Sequence, residues 1–138
     1  MAQTEQVQLS FQADIKYLGL AAAVVQELCE LTPGLSLSAV YNIQLAVDEA
    51  LVNIIEHAYG GRPGGVVEMS GEIQRDRLVI TLCDRGASFD PTQVPLPDPS
   101  APRAHGFGMY LMRKLMDEVS YTREPSGRNC VRLIKVVG

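Results

Sequence analysis

Residues 66–84 read VVEMSGEIQRDRLVITLCD, and their patterning points to the architecture. Val67, Met69, Gly71 and Ile73 alternate with Glu68, Ser70 and Glu72, the period of two expected of a strand with one buried face. Gln74 to Arg77 has the composition of a hairpin turn, and Leu78 to Cys83 is a more continuously apolar strand that belongs nearer a sheet centre. The two runs are therefore expected to pair antiparallel.

Working outward, Tyr59-Gly60-Gly61-Arg62-Pro63-Gly64-Gly65 is a loop by composition, and two helical patterns precede it. Leu18, Ala21, Val25, Leu28 and Leu31 recur at helical spacing between Tyr17 and Leu31, and Pro33-Gly34 stops that helix. Ser36 or Ser38 can cap a second helix, which runs to about Ala58. Before them, Val7, Leu9 and Phe11 alternate as a first strand. On the other side, a proline-rich stretch from Pro91 to Pro102 leads to a short helix over Phe107 to Asp117 with a broad apolar face. Strands over Val119 to Thr122 and Cys130 to Val137, joined around Pro125-Ser126-Gly127-Arg128, complete the chain. Hairpin-joined strands with helices collected to one side predict an α+β two-layer sandwich, not a doubly wound parallel sheet.

The 138 residues suit a single domain over the whole of 1–138. The net charge is −4, and no lysine or arginine run offers a stripe for nucleic acid, so none is expected as a partner. The first apolar run, Leu18 to Val25, is too short to span a bilayer, and Met1 to Gln8 has no basic segment, which disfavours membrane insertion and secretion. Cys29, Cys83 and Cys130 are odd in number, far apart and set in apolar stretches, a pattern that suits buried free thiols and a reducing cytoplasm.

The second helix has two faces. Val40, Ile43, Val47, Leu51, Ile54 and Ala58 share one apolar sector, and roughly opposite lie Glu49 and Asn53, one turn apart, with Asn42, Glu56 and His57 near the same side. An ordinary solvated helix face would carry such residues too, and a histidine near a helix end often only bonds a terminal carbonyl. Further segments must meet this face if it is to do chemistry. One candidate is Cys83-Asp84-Arg85-Gly86-Ala87-Ser88-Phe89-Asp90-Pro91. A carboxylate at a strand end can accept from an amino group, while the nearby glycine leaves room for a flat ring; a plain turn would look similar. Another is His105-Gly106-Phe107-Gly108-Met109, glycines opening a helix whose free amides suit an anion, or a simple hinge. Neither a Rossmann nor a Walker-type run is present.

Taken in order, Glu49-x-x-x-Asn53 on a helix, Asp84-x-Gly86 after a strand, a lid-like loop and Gly106-x-Gly108 opening a helix resemble the GHKL ATPase fold of gyrase, histidine-kinase catalytic domains and mismatch-repair ATPases. Asp48 to Tyr59, Asp84 to Asp90 and Leu115-Met116-Asp117-Glu118-Val119 are similar to the anti-sigma-factor serine kinases in particular. The resemblance spans nearly the whole chain and implies a Bergerat-type mixed sheet of about five strands with three helices on one face.

Carried over by position, the resemblance implies Mg²⁺ held by Asn53 between ATP phosphates, Glu49 as general base, and Asp84 on the adenine amino group with Gly86 giving the ring room. Gly106 and Gly108 would lend amides to the phosphates. His57, Phe89 and Phe107 fall within the nucleotide-binding segments, Pro91 to about His105 would be the ATP lid, and Arg103 would reach from it. The implied activity is phosphorylation of a STAS-domain anti-anti-sigma partner in alternation with a sigma factor, with a homodimer expected by the same analogy. A nucleotide-binding module that sequesters a regulator without turnover is the alternative. It is motivated by Ala104-His105 and Phe107, where many relatives have glycines and an aliphatic residue. Ser126-Gly127-Arg128-Asn129 also lacks the threonine that some members use beside the adenine.

Overall fold

The computed structural model describes residues 5–87 and 107–138, without the side chains of 107–109. The elements run β1 (Glu5–Gln12), a short 3-10 turn (Ile15–Tyr17), α1 (Leu18–Glu30), α2 (Leu37–Asn53), a π-helical segment (Ile54–Ala58), β2 (Val66–Ile73), β3 (Arg77–Asp84), α3 (Phe107–Leu115), β4 (Glu118–Arg123) and β5 (Asn129–Val136). Ser36, not Ser38, caps α2, its hydroxyl accepting from the Ala39 amide at 3.1 Å.

The strands form one sheet in the order β1-β2-β3-β5-β4. Its central strand is β3, as its apolar run predicts. The sheet is not mixed, however, because all four ladders are antiparallel. The crossover through α3 does make β3 and β4 run in the same direction. β5 then inserts between them and pairs antiparallel with both, so that no parallel pair is hydrogen-bonded.

One sheet face carries the core. Val67, Met69, Ile80, Leu82 and Leu133 from the strands meet Ala21, Val25 and Leu28 of α1, Ile43, Val47 and Leu51 of α2, and Met112 of α3. All of these are essentially inaccessible to solvent. Gly71 has a steric role here, since a Cβ on it would overlap the side chain of Leu28. The helices also contact one another: Gln44 of α2 donates to the Ala22 carbonyl of α1 at 2.8 Å, and α2 packs along α3. Leu31, assigned above to the apolar face of α1, is 56% exposed because the helix has ended one residue earlier.

The cysteine expectation requires correction. Cys29 is a buried free thiol, pushed up to about 11 by burial and then by Glu30. Cys83 and Cys130 are instead joined in a disulfide. They lie 47 residues apart, but β5 sets them directly opposite one another on β3 and β5. The cysteines therefore no longer argue for a reducing compartment. Among the described residues no helix is long and apolar enough to cross a membrane.

Candidate functional site

The Asp84 end is built on the sheet. Asp84 closes β3 opposite Asn129, which opens β5 opposite Arg123 of β4, so three adjacent strands present one rung of polar residues. Residues one apart on a strand project to opposite faces, which puts the Cys83–Cys130 bridge behind this rung. Asp84 and Asn129 are 6% and 2% exposed, and buried polar groups of this kind must be hydrogen-bonded. Asp84 Oδ1 accepts from the Gly86 amide at 2.9 Å and from Asn129 Nδ2 at 3.0 Å. Asn129 Nδ2 also donates to the Gly86 carbonyl at 3.0 Å.

The loop after β3 is latched to the helix end. The Ala87 amide donates to the Ala58 carbonyl at 2.7 Å, and the Tyr59 hydroxyl accepts from the Arg85 amide at 2.8 Å while donating to the Val66 carbonyl at 2.8 Å. A Cβ at Gly86 would collide with the Ala58 carbonyl. The glycine expected to make room for a ring is thus required first by the chain's own helix terminus.

That terminus continues α2 as a π turn, in which the Tyr59 amide reaches back five residues to the Ile54 carbonyl, and the Gly61 amide closes the helix end on the Ile55 carbonyl. The widened turn buries both Ile54 and Ile55, where a uniform 3.6-residue wheel assigns only the first to the apolar face. Upstream on the same continuous helix, Glu49 and Asn53 are half-buried one turn apart, and His57 is half-buried within the π turn. Neither Asn53 nor His57 is without a partner in the fold. Burial raises the Glu49 carboxyl above its ordinary range, and the neighbouring charges of Asp48 and Glu56 add to the effect.

The structure thus joins Asp84 and Gly86 to the end of the helix that carries Glu49, Asn53 and His57. Phe107 and Gly108 form the first turn of α3, which packs on α2. Phe89, Arg103, Gly106 and the expected lid lie outside the described residues. Asn129, Tyr59, Tyr121 and Arg123 are site neighbours to which the motifs assign no role. Asn129 had a legible signal: it stands in phase with Val131 and Leu133 on the core face of a strand, where an asparagine has to find partners.

A family model for the histidine kinase-like ATPase domain matches residues 11–135. The chain belongs to the histidine kinase-like ATPase domain family. Members similar to it include the serine-protein kinase RsbW of Oceanobacillus iheyensis, 27% identical over 132 residues that cover 90% of this chain and 83% of that protein. RsbW of Bacillus pumilus is 31% identical over 123 residues, 82% of this chain and 75% of that one. A crystal structure of the RsbU and RsbW domains of a Mycobacterium tuberculosis protein superposes with a TM-score of 0.67 at 18% identity. It covers 96% of this chain, which spans about a third (32%) of that longer one, and shows the shared fold alone.

Proposed function

We propose that this chain is a cytoplasmic protein-serine kinase that transfers the γ-phosphoryl group of ATP to a STAS-domain anti-anti-sigma partner and holds a sigma factor in alternation with it. The observation that carries the reading is the latch between the β3 loop and Ala58. It ties the loop that follows Asp84 and the helix that carries Glu49 and Asn53 to one frame. Similarity to proteins named serine-protein kinase RsbW supports transfer to a serine of a protein. Self-association belongs to the same proposal.

In this reading Asp84 accepts from the amino group of adenine, and Gly106 and Gly108 offer amides to the phosphates. Asn53 supplies an amide oxygen to Mg²⁺, which neutralises phosphate charge when bound. Among the described residues there is no ready cluster of three His, Cys, Asp or Glu side chains. A neutral amide oxygen such as that of Asn53 would suit a hard cation that keeps several waters. The partner's serine oxygen attacks the γ-phosphorus, the bond to the β–γ bridging oxygen breaks, ADP leaves, and Glu49 takes the serine proton. Its raised affinity for a proton suits that role. Positioning and charge stabilisation do most of the work in such a transfer.

Incubation with labelled ATP, Mg²⁺ and a panel of STAS proteins is expected to label one of them on serine. Nucleotide binding, seen as a thermal shift, with no transfer to any partner would favour the sequestering module instead.

A further inference from the structure

An asparagine side chain offers two N–H donors and an oxygen with two lone pairs. At Asn129 all four are engaged. Nδ2 donates to Asp84 Oδ1 and to the Gly86 carbonyl, both at 3.0 Å. Oδ1 accepts from the Tyr121 hydroxyl at 3.0 Å and from Arg123 Nη1 at 2.9 Å. A residue that touched a bound base would need a spare donor or acceptor, and Asn129 has none. Asp84 Oδ1 is equally committed, to Asn129 and to the Gly86 amide. Among the described residues both hydrogen bonds to this carboxylate fall on Oδ1.

We infer that Asn129, braced by Arg123 and Tyr121, is a positioning residue that sets base selectivity: it locks Asp84 so that Oδ2 alone is offered to the nucleotide. A fixed acceptor selects a purine carrying an amino group at C6 and repels one carrying an oxo group there. The inference rests on Asp84 being the base receptor.

The lock has a direction. The Arg123 guanidinium and the Tyr121 hydroxyl are both donors, so they hold the oxygen end of the amide toward β4 and its NH₂ end toward Asp84. The charge of Arg123 strengthens its bond and opposes an amide flip. Without this brace the carboxylate could turn, and a turned carboxylate can accept from the N1–H of a 6-oxopurine. Selectivity between a donor and an acceptor at one atom is large where the receptor is fixed and small where it can rotate. Arg123 is exposed on β4, so the outer end of the lock can be altered without opening the core.

The test is calorimetric titration of the full chain with Mg-ATP and with Mg-inosine triphosphate, on the wild type, Asn129→Ala, Arg123→Met and Arg123→Lys. The wild type is expected to prefer ATP. Asn129→Ala is expected to lower that preference about tenfold, the scale of one charged hydrogen bond. Arg123→Met should lower it about two- to fivefold, and Arg123→Lys, which keeps a donor, should restore most of it. A folded Asn129→Ala that weakens both nucleotides equally, or neither, overturns the inference, since a merely structural residue would leave the ratio intact. Should Asn129→Ala not fold, an unchanged ratio in Arg123→Met overturns it instead. Equal binding of the two nucleotides by the wild type removes the selectivity to be explained. Wild type that binds neither refutes the reading of Asp84 itself, a separate failure.

Discussion

At the sheet end of the site, Asp84 and Asn129 are 6% and 2% exposed and are tied into a network whose donors and acceptors are largely satisfied. On α2, by contrast, Glu49 and Asn53 are half-buried on one helix face, and burial, then the like charges of Asp48 and Glu56, raise the proton affinity of Glu49. The contrast matches the two tasks proposed for these residues. Recognising a flat, rigid base favours a receptor whose orientation is settled before the ligand arrives. Taking a proton in mid-reaction requires a carboxyl that can change charge state.

The largest effect that could break this contrast is at Glu49. Glu49→Gln is expected to lower phosphoryl transfer about a hundred- to ten-thousand-fold in a labelled-ATP assay. Full activity in that variant would take the general base away from α2. Next comes the clamp behind the rigid end. Reducing the Cys83–Cys130 bridge, or replacing both cysteines by serine, is expected to cost about 2–4 kcal/mol in denaturant unfolding, because the bridge closes a long loop between β3 and β5. Third, Gly86→Ala forces a methyl group into the Ala58 carbonyl and should cost about 1–3 kcal/mol by the same measurement. A neutral result there would mean that the two ends are not latched.

The smallest effect sharpens the soft end. Because burial and neighbouring charges raise the Glu49 carboxyl above its usual 4.5, the acid limb of the transfer rate should lie above that pH. Glu56→Gln removes one of the causes and should move the limb to lower pH. The sign for stability is fixed as well. A carboxyl raised by folding contributes stability below its unfolded value and loses that contribution as pH rises through the folded one. Glu49→Gln should therefore be relatively more stable at neutral pH than at acid pH, when compared with wild type.

Much of this was legible in the sequence. The alternation in β2 and the apolar run of β3 give their pairing and the central place of β3, and the order of short motifs points to the family. What local patterning cannot show is which distant strand lies beside which. The insertion of β5 between β3 and β4 turns an expected mixed sheet into an antiparallel one. It also joins two cysteines that look solitary along the chain, and it brings Asn129 to Asp84. The π turn escapes a helical wheel because the wheel assumes one pitch throughout. The Asp84-x-Gly86 motif suggests room for a ligand, whereas the nearest claim on the missing side chain of Gly86 is a carbonyl of the same protein.

The division of labour between the two ends is tested most directly by calorimetry with Mg-ATP on Asp84→Asn and Glu49→Gln beside the wild type. Asparagine at 84 can keep its bonded oxygen toward Asn129 and Gly86 while turning the other acceptor into a donor, which faces the amino group of adenine the wrong way. The account predicts that Asp84→Asn loses at least about tenfold in affinity, while Glu49→Gln binds as the wild type does. Undiminished binding by Asp84→Asn, or its loss in Glu49→Gln, would contradict it.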